Sequence, residues 1–273
     1  MATIYQHCYQ DIKRLSHFPT FRYAIILILI AVALTNILFA SDADKATFSW
    51  IVTFTDSFNT ALYFATLSLI VVAAHYAASE YQNRTVQLSI ATGISRGVFI
   101  FSKVLALIAG AYSLVFIAGL SSLVISAAIA SSMGTFTAKA LSLSYFALTL
   151  LLSPLKTLPL MFLSFSLAIM ARSLILPISL LMFYATLGEI ALTSFVLPSP
   201  VKDILPGQIA KPLDTITTFK INLAPNVATI ERIATAKSGF EITYWASMEG
   251  VLAYVVVLTL CSYIVFRRQD LSR

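Results

Sequence analysis

Residues 143–196 read LSYFALTLLLSPLKTLPLMFLSFSLAIMARSLILPISLLMFYATLGEIALTSFV, and how this stretch divides decides the fold. As one helix at about 1.5 Å per residue it would run roughly 80 Å, far beyond the ~30 Å of hydrocarbon in a bilayer. Two spans, Leu143–Met170 and Leu174–Val196, joined by a tight hairpin at Ala171, Arg172 and Ser173, meet the constraint. Arg172 marks the aqueous tip, and Pro177 fits a break near the start of the next helix. Pro154 and Pro159 are expected to bend the first of the two helices, since neighbouring helices can satisfy the carbonyls they free.

The same length rule, carried outward, finds four further spans: Tyr23–Ala40, Phe58–Ala78, Val104–Ala130 and Met248–Phe266. The fold class is therefore all-α, a polytopic membrane protein with six transmembrane helices in one domain over residues 1–273. Composition agrees. Hydrophobic residues make up 59% and charged residues 11%, against about 25% charged in a soluble domain. A mean hydropathy of +0.87 leaves too much apolar surface for one water-soluble core, so lipid is the solvent for much of the chain. The apolar run after Arg22 resembles a signal peptide in position, but no small-residue cleavage pattern follows it.

Lys and Arg in alternate connections set the orientation. Lys13, Arg14 and Arg22 precede the first span, Arg84, Arg96 and Lys103 follow the second, and Arg172 sits in the hairpin. Arg267, Arg268 and Arg273 form the tail, whereas the first loop is acidic overall, with Asp42, Asp44 and Asp56 against Lys45. Both termini are expected in the cytoplasm, with the chain multi-pass in the cytoplasmic (inner) membrane. Cys8 and Cys261 then cannot both lie outside, which argues against a disulfide. The net charge of +6 sits at span ends, not on a basic face interleaved with aromatics, so nucleic acid is no expected partner.

Residues 1–20 form an amphipathic helix. Ile4, Tyr5, Cys8, Tyr9, Ile12 and Leu15 share one face, Gln6, Gln10, Asp11, Lys13 and Arg14 take the other, and Pro19 stops the pattern. Such a helix suits the headgroup plane of membrane lipid, or packs on another subunit. Residues 197–247 are the only long hydrophilic stretch and fall outside. Pro198, Pro200, Pro206, Pro212 and Pro225 punctuate it, and Asn226 to Lys237 has a helical pattern. It reads either as a small external cap or as a plain connection. Inside the membrane, Lys156 and Glu189 are costly ionisable residues, and Glu249 at the outer start of the sixth span competes for Lys156. They form a polar spot on a translocation path, or a structural pair, or Lys156 snorkels outward. Ala118, Ser122 and Ser126 make a small-residue stripe for close helix contact.

The segment from Glu80 to Lys103 carries the strongest functional signal. Val86, Leu88 and Ile90 can anchor a short helix, Gly93 suits its stop, and Ser95 can cap the following span. Spacing alone is also met by an ordinary connecting loop whose cations set topology. Glu80, Thr85, Ser95, Arg96 and Lys103 match in order and approximate spacing the loop between the second and third spans of type-2 ABC transporter permeases. That family commonly shows Glu, then Gly-Thr, a Ser-Arg pair and a Lys where the third span starts. Arg84 stands where it usually has Gly, and Gly93-Ile94 where a Pro is common. With the amphipathic N-terminus, six spans, long last external loop and basic tail, the chain resembles this family over essentially its whole length, and small exporters in bacteriocin immunity and bacitracin resistance in particular.

The resemblance implies an ATP-driven exporter permease of amphipathic or hydrophobic substrates (peptide, lipid-like molecule or drug). It implies a dimer with a second permease copy or a sister permease. It also implies a cytoplasmic ABC ATPase subunit gripped through residues 80–98, with Glu80, Arg84, Thr85, Leu88, Ser95 and Arg96 as coupling residues. No Gly-x-x-x-x-Gly-Lys-Ser/Thr loop is present to cradle ATP, so ATP is expected on the partner and no cofactor on this chain. Enzyme readings lack support: His7, His17 and His75 are scattered, and no His-Glu-x-x-His occurs to hold zinc. His75 is expected to be a packed or interfacial residue. The rival readings are an ion-coupled carrier, for which Glu189 is the only midplane acid on offer, and a membrane scaffold.

Overall fold

The computed structural model describes residues 2–42, 50–83, 93, 95–133, 143–188, 205–206 and 244–268. All the regular structure among them is helical. The helices are α1 (Ala2–His17), α2 (Pro19–Asp42), α3 (Trp50–Gln82), α4 (Arg96–Met133), α5 (Leu143–Leu152), α6 (Pro154–Ala171), α7 (Ile175–Phe183, extended by a π-turn at Tyr184–Gly188) and α8 (Tyr244–Arg268). Five apolar stretches are long enough to cross a bilayer: Pro19–Ala40, Thr53–Gln82, Arg96–Ser132, Thr149–Ala171 and Ser247–Arg268. A shorter one, Ile175–Gly188, begins the fifth of the six expected spans, whose continuation to Val196 lies outside the described residues.

Local chemistry explains the boundaries. Phe18 alone separates α1 from α2, with Pro19 at the first helical position, where its missing N–H costs nothing. The expected hairpin is present. α6 ends at Arg172, whose φ of 49° is the left-handed stop that usually falls to glycine, and α7 starts three residues later. Pro154 does more than bend its span. The helix breaks at Ser153, and Pro154 opens a new helix because it can offer no N–H to the preceding turn. Pro159 is accommodated inside α6 in a fully packed environment.

The helix α3 is the centre of the bundle, packing on α2, α4, α6 and α7, while α8 lies against α6 and α4. Its buried positions, Phe58, Ala61, Ala65, Leu69, Val72, Ala73 and Tyr76, recur every three or four residues. Association in lipid depends on close packing rather than on water release, so small residues matter. The stripe Ala118, Ser122 and Ser126 is completely buried, as expected for a close contact. Large side chains such as Ile26, Ile30, Leu34 and Ile37 on α2 point outward, where acyl chains would solvate them.

Polar groups hold the bundle away from the α1 end. Asn36 of α2 donates from Nδ2 to Ser57 Oγ of α3 at 2.7 Å and to its own Val32 carbonyl at 2.8 Å. Its Oδ1 accepts from Ser126 of α4 at 2.6 Å, and Ser57 donates on to Ser122 at 3.4 Å. Three helices are thereby fixed in register by neutral groups with no exposure. Asn36→Ala removes the hub and strands two hydroxyls, at a cost of about 1–2 kcal/mol. Reversible unfolding in mixed micelles should show that loss, and an unchanged unfolding curve would contradict the hub's role.

Candidate functional site

The last turns of α3 carry Tyr76 and Glu80, and the first turns of α4 carry Phe99, Ser102 and Lys103. These are the two flanks of the segment singled out in the sequence. Long apolar stretches adjoin both, so Glu80 and Lys103 are drawn toward the low-dielectric interior, where a lone charge costs several kcal/mol. The structure resolves this by pairing. Lys103 Nζ lies 3.0 Å from Glu80 Oε1 and 2.5 Å from Asp11 Oδ1. It also donates to Tyr76 Oη at 3.2 Å, so all three of its N–H bonds have acceptors. The ammonium stands 4.7 Å from the Tyr76 ring centre and 5.2 Å from that of Phe99, adding cation–π attraction.

α1 supplies the remaining charges. Arg14 Nη1 donates to Glu80 Oε1 at 2.6 Å, and Asp11 Oδ2 accepts from Ser102 at 2.6 Å. Among the described residues, two cations and two anions thus meet in one cluster, with the Glu80 and Lys103 side chains only 4% and 5% exposed. A pocket of about 220 Å³ opens beside it, with His7, Gln10 and Val98 completing the wall. Asp11 and Arg14 of α1 turn into the protein, whereas Tyr9 and Ile12 of its apolar face are exposed. The reason is solvent: lipid accepts Tyr9 and Ile12 readily, while Lys103 needs a counter-charge that only α1 brings.

Two further contacts gather the same end of the bundle. Arg96 Nη1 donates to the Arg267 carbonyl at 2.5 Å, and Arg172 lies 5.8 Å from the Tyr81 ring centre. Ser95 caps α4, its Oγ accepting from the Val98 N–H at 3.3 Å. Gly93 takes a φ of 89°, open to a residue without Cβ. Arg84, Thr85 and Leu88 lie outside the described residues. His75 packs at the α1–α2 corner, 4.7 Å from the Phe18 ring and 3.3 Å from Thr20 Oγ1. Cys8 and Cys261 are free thiols.

The intramembrane residues sit elsewhere. Lys156 occupies the first turn of α6, just after the break, and Glu249 is exposed near the start of α8. Counted along their helices, they lie about 24 and 27 Å from Arg172 and Arg267, toward the opposite end. Glu189 lies outside the described residues. The sequence reading found Glu80 and Lys103 but missed Asp11 and Arg14. The available signal was an acid and a base three residues apart, on a helix whose other face already suited lipid.

Helical spans packed around α3, with an ion cluster at one end, define a polytopic helical membrane protein. A family model described as ABC-2 family transporter protein matches residues 12–188. The chain belongs to that family, and is a membrane permease component of an ABC transporter. Membership implies an ABC ATPase as its partner. No curated protein sequence matches the chain.

Lys103→Met removes the ammonium from Glu80 and leaves the Asp11 carboxylate without its cation, a loss of about 3–5 kcal/mol for one broken buried pair. Adding Glu80→Gln and Asp11→Asn should recover most of it, because the one charge left, Arg14, has a side chain 39% exposed and can turn to solvent. Thermal unfolding of the single and triple variants checks this, and a triple variant weaker than the single one would contradict it.

Proposed function

We propose that this chain is the transmembrane subunit of an ATP-driven exporter, and that residues 80–98 couple it to a separate cytoplasmic ATPase. The observation that carries the reading is the anchoring of both flanks of that segment, Glu80 and Lys103, into one ion cluster with α1. A segment meant to be pushed by a soluble partner needs rigid attachment at both ends. Here the push is shared by α3, α4 and α1 together.

Orientation supports the same reading. Arg14, Arg96, Lys103, Arg172 and Arg267 all gather at one end of the bundle. Cations retained on the inner side of the membrane make that end cytoplasmic, with both termini there and the chain in the cytoplasmic (inner) membrane. ATP binds the partner, and this chain holds no cofactor of its own. Closure of the ATPase subunits displaces the coupling segment and reorients the spans between inward and outward access, in a dimer with a second copy or a sister permease. The cargo is an amphipathic or hydrophobic molecule, in keeping with an apolar wall carrying few charges. Lys156, Glu189 and Glu249 line its path, and residues 197–247 lie outside.

Two outcomes are expected. Deleting residues 85–94 abolishes recovery of the ATPase on the tagged permease while membrane insertion is unchanged; undiminished recovery would refute the coupling role. Lys156→Met and Glu189→Gln each reduce transport without lowering the amount of folded permease. Full transport in both would remove these residues from the path.

A further inference from the structure

Arg96 opens α4, where unpaired backbone N–H groups make a cation unfavourable. Its guanidinium instead reaches across to the last turn of α8, donating to the Arg267 carbonyl at 2.5 Å and to the Phe266 carbonyl at 3.4 Å. These are orphan acceptors of a helix C-terminus, where partial negative charge collects. The contact therefore relieves a mismatch at one helix end by satisfying another.

The Phe266 ring is held from two sides. Phe99 of α4 stacks on it with centres 5.5 Å apart and planes 10° apart. Tyr81 of α3 meets it edge-on at 6.5 Å. Tyr81 precedes the 84–94 segment and Phe99 follows it, so both flanks grip one turn of α8. That helix runs unbroken for 25 residues without a proline, about 37 Å. Its far end joins the 197–247 segment.

We propose that Arg96 and Phe266 are positioning residues that transmit displacement of the coupling segment to α8, so that the outer end of α8 moves with the nucleotide state of the ATPase. The proposal rests on the coupling reading above and gives Arg96 a different job from contacting the ATPase. α8 acts as a rod: the grip at its inner end converts a push there into movement at the external side.

The test uses full-length permease reconstituted with its ATPase in nanodiscs, after Cys8→Ser and Cys261→Ser. Spin labels are placed through Ile37→Cys and Leu252→Cys, two outward-facing positions toward the outer ends of α2 and α8. Electron–electron distances are measured without nucleotide and with ATP plus vanadate. The parent should show a shift of about 2 Å or more, the scale of helix movements at bistable contacts. Arg96→Met should lose the shift while retaining ATPase recovery and basal ATP turnover, and Arg96→Lys should restore it. Phe266→Leu, which keeps the helix and most of the volume, should reduce the shift independently of the Arg96 variants. A parent-like shift in Arg96→Met would overturn the proposal. So would loss of ATPase recovery in that variant, which would make Arg96 a direct contact. A parent that fails to retain the ATPase would overturn the coupling reading and this proposal with it, a result distinguishable because it needs no variant.

Discussion

An ammonium group held almost without water, at the end of a helix that must live in lipid, is the constraint around which this protein is arranged. Lys103 is 4% exposed, and it survives there only because Glu80, Asp11 and Tyr76 each take one of its N–H bonds. Glu80 comes from α3 and Asp11 from α1, so satisfying one cation draws three helices together. Arg14 then balances the second carboxylate. The desolvation cost of such charges is large, which makes the cluster a device for specifying geometry more than a source of stability.

The bundle divides its polar interactions by depth. The ion cluster lies at the end that gathers Arg14, Arg96, Lys103 and Arg172. Farther along, the glue is neutral: the Asn36 amide with Ser57, Ser122 and Ser126 on one side, and Ser166 with Ser262 at 2.8 Å between α6 and α8 on the other. Amides and hydroxyls can be fully paired in hydrocarbon without the expense of burying ions. A charged end joined to a neutral, register-locked body suits a machine driven from one side. Both α3 and α4 take part in the two systems, through Glu80 and Ser57 on one and Lys103, Ser122 and Ser126 on the other.

Much of this was legible beforehand, for physical reasons that differ by element. The length of the hydrophobic runs dictated the spans, and the excess length of 143–196 dictated the hairpin that the left-handed Arg172 now closes. The motif from Glu80 to Lys103 carried the family, which the match over residues 12–188 supports independently. The orientation of α1 was not legible. Amphipathic periodicity identifies two faces but does not say which meets protein, and in lipid the apolar face is the one free to stay outside. Pairing between Asp11 and Lys103, 92 residues apart, leaves no trace in local pattern. Nor did the small-residue stripe at Ser122 and Ser126 disclose that Asn36 would bind both α3 and α4 through it. Pro154 announced a disturbance, but only the fold showed that it ends one helix and starts another.

Hydrogen–deuterium exchange of α1 in the purified full-length protein tests most directly whether the Lys103 cluster holds this end of the bundle together. Amides of residues 7–17 should exchange slowly in the parent and lose that protection selectively in Lys103→Met, with α3 and α6 still protected. Unaltered slow exchange of α1 in that variant would show that something other than the buried ammonium fastens it, and the account would fail at its base.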